Sequence, residues 1–109
     1  EQAMIGLAAG MALAGLKPWV YTITTFLIER PFEQVKIDIN QQKANVKLVG
    51  YADYPELGPT HALANEKIVD SLKNIKTFYP KDSVETRSAA IESYQHDGPT
   101  FISLKKDKK

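Results

Sequence analysis

Gly58-Pro59-Thr60-His61 is the most specific local pattern in this chain. Gly-Pro makes a tight, stiff turn, and Thr60 has the side chain of a helix N-cap. His61 is therefore expected at a helix start. A neutral imidazole held there can donate to, or accept from, a sugar hydroxyl or a developing alkoxide. Glu1 heads an apolar run, where a carboxylate meets the helix dipole favourably. Phe26 and Phe32 are six residues apart, and Phe32 fits an apolar helix face. Arg30 and Arg87 carry groups that bind phosphate, but helix-surface positions are the expectation for both. His96 is expected to cap or flank a helix end. Asp53 and Glu56 are too few for a hard-cation site. No metal site is expected on this chain, and no Gly-rich phosphate loop occurs.

The elements that must position these residues alternate between helix and strand. Residues 1–14 predict a helix, with Gly15 placed to end it. Pro18 to Ile23 is aromatic and β-branched and predicts a strand. Ile28, Phe32, Val35 and Ile39 recur at helical spacing, with Pro31 near that helix's start. Val46 to Val49 predicts a strand, and Tyr51 to Thr60 a loop. His61 to Leu72 predicts a helix, and Ile75 to Tyr79 a strand. Asp82-Ser83-Val84-Glu85 predicts a capped helix whose inner face holds Val84, Ser88 and Ile91. Asp97-Gly98-Pro99 ends it before a last strand, Thr100 to Leu104. This alternation predicts an α/β fold, a parallel sheet with right-handed crossovers and helices on both faces. The expected division is one domain over residues 1–104 and a basic tail over 105–109. Gly6 and Gly10, with Ala3 and Ala14, form a small-residue stripe on the first helix. It suits either packing on the chain's own sheet or close approach of another domain.

Composition sets the outer bounds. The chain has 109 residues, 43% hydrophobic and 25% charged, which is ordinary for one globular domain. A net charge of +1 offers nothing to nucleic acid or an acidic membrane surface. There is no cysteine, which excludes disulfides and thiolate metal sites and points to a reducing compartment, the cytoplasm. The apolar run from Ala3 to Leu16 is shorter than the roughly 20 residues of a membrane span, and Glu1 precedes it where a signal peptide wants a basic start. Without an initiator Met, the chain reads as a piece of a longer protein.

The order of these features resembles the pyrimidine-binding domain of the transketolase family. Its carriers are Glu1-Gln2-Ala3-Met4-Ile5-Gly6, the strand from Pro18 to Ile23, Thr25-Phe26-Leu27, Phe32, and Gly58-Pro59-Thr60-His61. The resemblance runs from Glu1 to the Gly98-Pro99-Thr100 strand entry. It implies thiamine diphosphate as cofactor and transfer of a two-carbon ketol unit between sugar-type substrates. It further implies that Glu1 bonds a ring nitrogen of the aminopyrimidine and favours its imino tautomer, which removes the thiazolium proton. Phe26 and Phe32 would wall the pyrimidine, and His61 would face the substrate. Relatives have an acidic residue where Leu57 stands here, which bears on how the donor sugar is read. The family holds the diphosphate and its Mg2+ (or Ca2+) on a separate domain, through a Gly-Asp-Gly segment followed by Asn that this chain lacks. A strand and helix are also expected ahead of Glu1. The implied partners are that diphosphate-binding domain or subunit, in a homodimer or heterotetramer, and a sugar phosphate or related keto substrate. The chain alone would then be inactive. Deoxyxylulose-phosphate synthase, the β component of 2-oxo acid dehydrogenases and a non-catalytic α/β binding module are the alternatives.

Overall fold

The computed structural model describes residues 1–51, 55–62 and 66–105. Asp53, considered above as a cation ligand, and the tail from 106 lie outside them. Four strands, β1 (Trp19–Ile23), β2 (Lys47–Tyr51), β3 (Lys76–Phe78) and β4 (Thr100–Leu104), form one sheet in the order β1-β2-β4-β3. Every pairing is parallel, as the alternation of elements predicts.

The register assigns the two faces. Val20, Leu48 and Phe101 share one row, and all are buried in a core with Ile5, Leu27, Ile28, Val35 and Ile39. Helix α1 (Gln2–Leu13), helix α2 (Thr24–Ile28) and helix α3 (Phe32–Gln34), which continues as a π-helix over Val35–Gln41, supply those partners. The opposite face carries Lys47 and Thr100 and is covered by helix α4 (Ser83–Gln95). Helices thus lie on both faces.

Local chemistry explains the ends of the elements. Gly15 closes α1 at φ +95°, a conformation costly for any residue with a Cβ. Asp82 accepts from the Glu85 backbone N–H at 2.8 Å, so the predicted N-cap of α4 is present. The Glu85 carboxylate reaches back to the backbone N–H of Lys81.

Three expectations are corrected. The inner face of α4 is not Val84, Ser88 and Ile91: Val84 and Ile91 are 76% and 49% exposed, and Ser88 is exposed. Ala89 and Ser93 face the sheet instead, with the Ser93 hydroxyl on that of Thr100. Small residues let the helix come close over a row of polar side chains, where bulky ones would hold it away. Second, His61 to Leu72 is not an α-helix in its described part. Pro59–His61 is a 3-10 turn, Ala62 is extended, and Glu66–Ser71 is 3-10. Thr60 therefore caps no helix; its hydroxyl meets the His61 ring at Nδ1, 3.1 Å away. Third, the helical pattern from Ile28 to Ile39 is broken between Ile28 and Phe32. Pro31 stands at the N-cap of α3 with φ −98° and is buried.

Lys47, unremarkable in the sequence, is fully buried within the sheet. Its Nζ donates to the carbonyls of His96 and Gly98, both at 2.8 Å. Burial, with Lys17 nearby, pushes its pKa down to about 8, while Asp97 pulls weakly the other way.

One flank is left open. β1 is a sheet edge, and Trp19 and Tyr21 on it are exposed, as are Leu7 and Met11 on α1. Between α1 and β1 lies a shallow groove of ≈ 270 Å³. Gly6 and Gly10 are exposed, and a Cβ on either would meet nothing within 4 Å. The small-residue stripe therefore does not pack on the chain's own sheet; Ile5, Ala8 and Ala9 do.

Candidate functional site

The site is built where α2 leaves the carboxyl end of β1. Ligands of open parallel sheets bind at strand carboxyl ends. Thr24, Thr25, Leu27 and Ile28 of α2 are buried, which leaves Phe26 half-buried on its outer side. The start of α2 lies directly on β2 at Gly50. A Cβ at Gly50 would sit 2.5 Å from Thr24 Oγ1 and 3.1 Å from its Cα, so only glycine permits this approach. The signal available for it in the sequence is a glycine directly after the predicted strand Val46 to Val49.

The loop after β2 then folds back over α2. Gly58 at φ +108° makes the turn, and the His61 N–H donates to the Gly58 carbonyl at 3.0 Å. The Thr25 hydroxyl donates to the His61 carbonyl at 3.2 Å. This holds the imidazole against Phe26, with ring centroids 4.8 Å apart at 67°. Among the described residues, Nδ1 meets Thr60 and Nε2 meets no hydrogen-bond partner.

Arg30 joins this pair to the first helix. Its guanidinium carbon lies 4.0 Å from the Phe26 ring centroid, a cation–π contact. Its NH1 is 3.5 Å from Glu1 Oε1, and its carbonyl accepts from Gln2 Nε2 at 3.4 Å. Glu1, Arg30, Phe26 and His61 thus form one continuous row drawn from three segments. Neither the place of Arg30 in this row nor the support that Thr25 gives it is legible in a local sequence pattern.

The other candidates fall elsewhere. Phe32 packs against the core beneath and makes no ring contact with Phe26 or His61 among the described residues. Glu56 and Leu57 lie in an exposed 3-10 turn, Pro55–Leu57. Arg87 lines a separate cleft of ≈ 420 Å³ with Lys81, Asp82 and Lys105 at the start of α4. His96 is the C-cap of α4. No group of three or more acidic or histidine residues suited to a metal occurs among the described residues.

Comparison with known proteins agrees with this architecture. The model of the transketolase pyrimidine-binding domain matches residues 1–108. The chain belongs to that family. It is 35% identical to a subunit of the apulose-4-phosphate transketolase of Actinobacillus succinogenes, over 95% of this chain and 35% of that protein. It is also 35% identical to the 1-deoxy-D-xylulose-5-phosphate synthase of Synechococcus sp. (strain CC9605), over 95% of this chain and 16% of that protein. A solved structure, a split-gene transketolase described as an inactive beta4 tetramer, superposes with a TM-score of 0.86 at 28% identity, covering 95% of this chain and 34% of that one. The chain thus spans about a third or less of these relatives.

The residues present fit an aminopyrimidine. The Phe26 ring already carries a flat, nitrogen-bearing group on its face, the Arg30 guanidinium, whose N–H points to the Glu1 carboxylate. A flat ring with an N–H at its edge, as the imino tautomer of an aminopyrimidine has, needs the same apolar platform and the same acceptor.

Proposed function

We propose that this chain is the pyrimidine-binding part of a thiamine diphosphate-dependent enzyme that transfers two-carbon ketol units between sugar-type substrates. The observation that carries the reading is the row Glu1, Phe26, His61, assembled from residues up to 60 positions apart in a chain of this family. When bound, thiamine diphosphate supplies a carbon nucleophile that the protein's side chains cannot. Glu1 accepts a hydrogen bond from the pyrimidine edge and holds a proton at its ring nitrogen. Phe26 orients the ring by stacking, and Phe32 is the second aromatic proposed for the pyrimidine wall. His61, its Nδ1 engaged by Thr60, offers Nε2 to a substrate hydroxyl or carbonyl oxygen.

The diphosphate and its Mg2+ are assigned to a partner domain or subunit, because the chain carries no segment for them. The open flank of α1 and β1, with Leu7, Met11, Trp19 and Tyr21 exposed, suits such a partner. A homodimer or heterotetramer in the cytoplasm is the assembly proposed, and the chain alone would be inactive. No helix among the described residues is long and apolar enough to cross a membrane.

Similarity to a deoxyxylulose-phosphate synthase favours a second reading, in which the two-carbon unit comes from a 2-oxo acid. A donor panel on the full-length enzyme with its partner separates them. Turnover of ketose phosphates with an aldehyde acceptor supports ketol transfer, and turnover of pyruvate supports the second reading. A protein that turns over neither donor and binds no thiamine diphosphate would be a non-catalytic module. In that panel Leu57→Asp is expected to narrow the range of donors accepted, and His61→Ala to lower kcat with every donor.

A further inference from the structure

The Arg30 guanidinium makes, at one time, the two contacts that the proposed cofactor ring needs. It covers the face of Phe26 at 4.0 Å and approaches Glu1 Oε1 at 3.5 Å. We propose that Arg30 is an internal occupant of the pyrimidine site, which pairs with Glu1 and covers Phe26 until the cofactor ring displaces it. This rests on the cofactor assignment above.

The backbone of Arg30 is anchored while its head is not. The Arg30 carbonyl accepts from Gln2, and the next residue is the buried Pro31. The side chain is 51% exposed, so it can swing into water without disturbing the core. A planar guanidinium suits the place: it stacks on an aromatic face as an ammonium cannot, and it presents N–H groups in its own plane. A surface ion pair with no further role would need only the carboxylate. Here the cation also lies over the ring that the site must expose. Both contacts are weak, since an exposed ion pair and an exposed cation–π contact each change an equilibrium constant only a few-fold. The occupant is therefore displaceable, and its removal has a bounded effect.

The test is titration calorimetry of the full-length enzyme, assembled with its diphosphate-binding partner, using thiamine diphosphate and Mg2+. Arg30→Ala is expected to tighten Kd about three- to tenfold, the scale of the two contacts it removes. The gain should appear chiefly as faster association. Arg30→Lys, which can pair with Glu1 but stacks poorly, should fall between. Nuclear magnetic resonance supplies a readout independent of turnover. The Arg30 Nε–H, ring-shifted by Phe26, should lose that shift on cofactor addition and in Phe26→Ala. Weaker or unchanged binding by Arg30→Ala overturns the proposal while leaving the cofactor assignment intact. Retention of the ring-shifted Arg30 signal at saturation does the same. If neither wild type nor variant binds the cofactor, both readings fall together.

Discussion

Arg30 and Lys47 each reach across the fold to oxygen atoms on a distant segment, but from different surroundings. The Arg30 guanidinium is half in water, stacked on Phe26 and 3.5 Å from a carboxylate. The Lys47 ammonium is buried and meets two main-chain carbonyls at 2.8 Å. Burial makes one interaction structural, because the carbonyls of His96 and Gly98 lose a partner they cannot easily replace. Exposure makes the other exchangeable, because water or a ligand can take either side of it. The contrast separates a part of the molecule that holds shape from a part arranged to change occupants.

The largest expected effect sharpens the exchangeable side. In the assembled enzyme, Glu1→Gln should slow proton exchange at the thiazolium carbon by about 10²–10⁴-fold, the range for removing acid–base assistance. Its unfolding midpoint should stay put. Exchange at the wild-type rate, followed by deuterium loss, would remove Glu1 from the site.

Next in size is the structural side. Lys47→Met should destabilise the protein by about 1–3 kcal/mol, the cost of leaving buried carbonyls unpaired. Arg30→Ala should change stability by less than about 1 kcal/mol, since its pair is exposed. Denaturant unfolding of both variants measures the difference, and equal losses would break the comparison.

Phe26→Ala should weaken thiamine diphosphate binding by about 1–3 kcal/mol, the scale of a lost aromatic platform. An unmoved dissociation constant in calorimetry would return Phe26 to the ordinary core.

The remaining expected effect is the pH dependence of Lys47. Its folded pKa, about 8, lies below the ordinary 10.5 because burial disfavours the charge. Between these values the unfolded chain binds more protons, so this group makes stability rise with pH there. Below about pH 8 it is protonated in both states and the burial penalty is carried in full. The difference in stability between wild type and Lys47→Met should therefore grow from pH 8 to about pH 10, and a flat difference would show that Lys47 is not desolvated.

Much of the fold was legible because its signals are local. The Asp82 cap, the Gly15 closure, the strand at Thr100 and the break at Gly98-Pro99 each depend on a few neighbouring residues. The inner face of α4 was not, because its apolar residues are spread around the helix and the sheet beneath favoured small ones. The helix expected after His61 failed for a related reason. The turn places Ala62 in an extended conformation, and the Thr25 hydroxyl binds the His61 carbonyl.

The sequence by itself determined which chemical groups exist and in what order they come: the carboxylate at the head of a helix, the phenyl ring after the first strand, and the imidazole after Gly-Pro. That order was enough to mark the family. Only the tertiary structure decided that Arg30 would lie over Phe26 beside Glu1, that Gly50 would admit α2, and that Lys47 would be buried. Arg30 and Glu1 are separated by 29 positions, Thr25 and His61 by 36, and Lys47 and His96 by 49. Contacts of that span follow from how whole elements pack, and no window of sequence a few residues wide contains both partners.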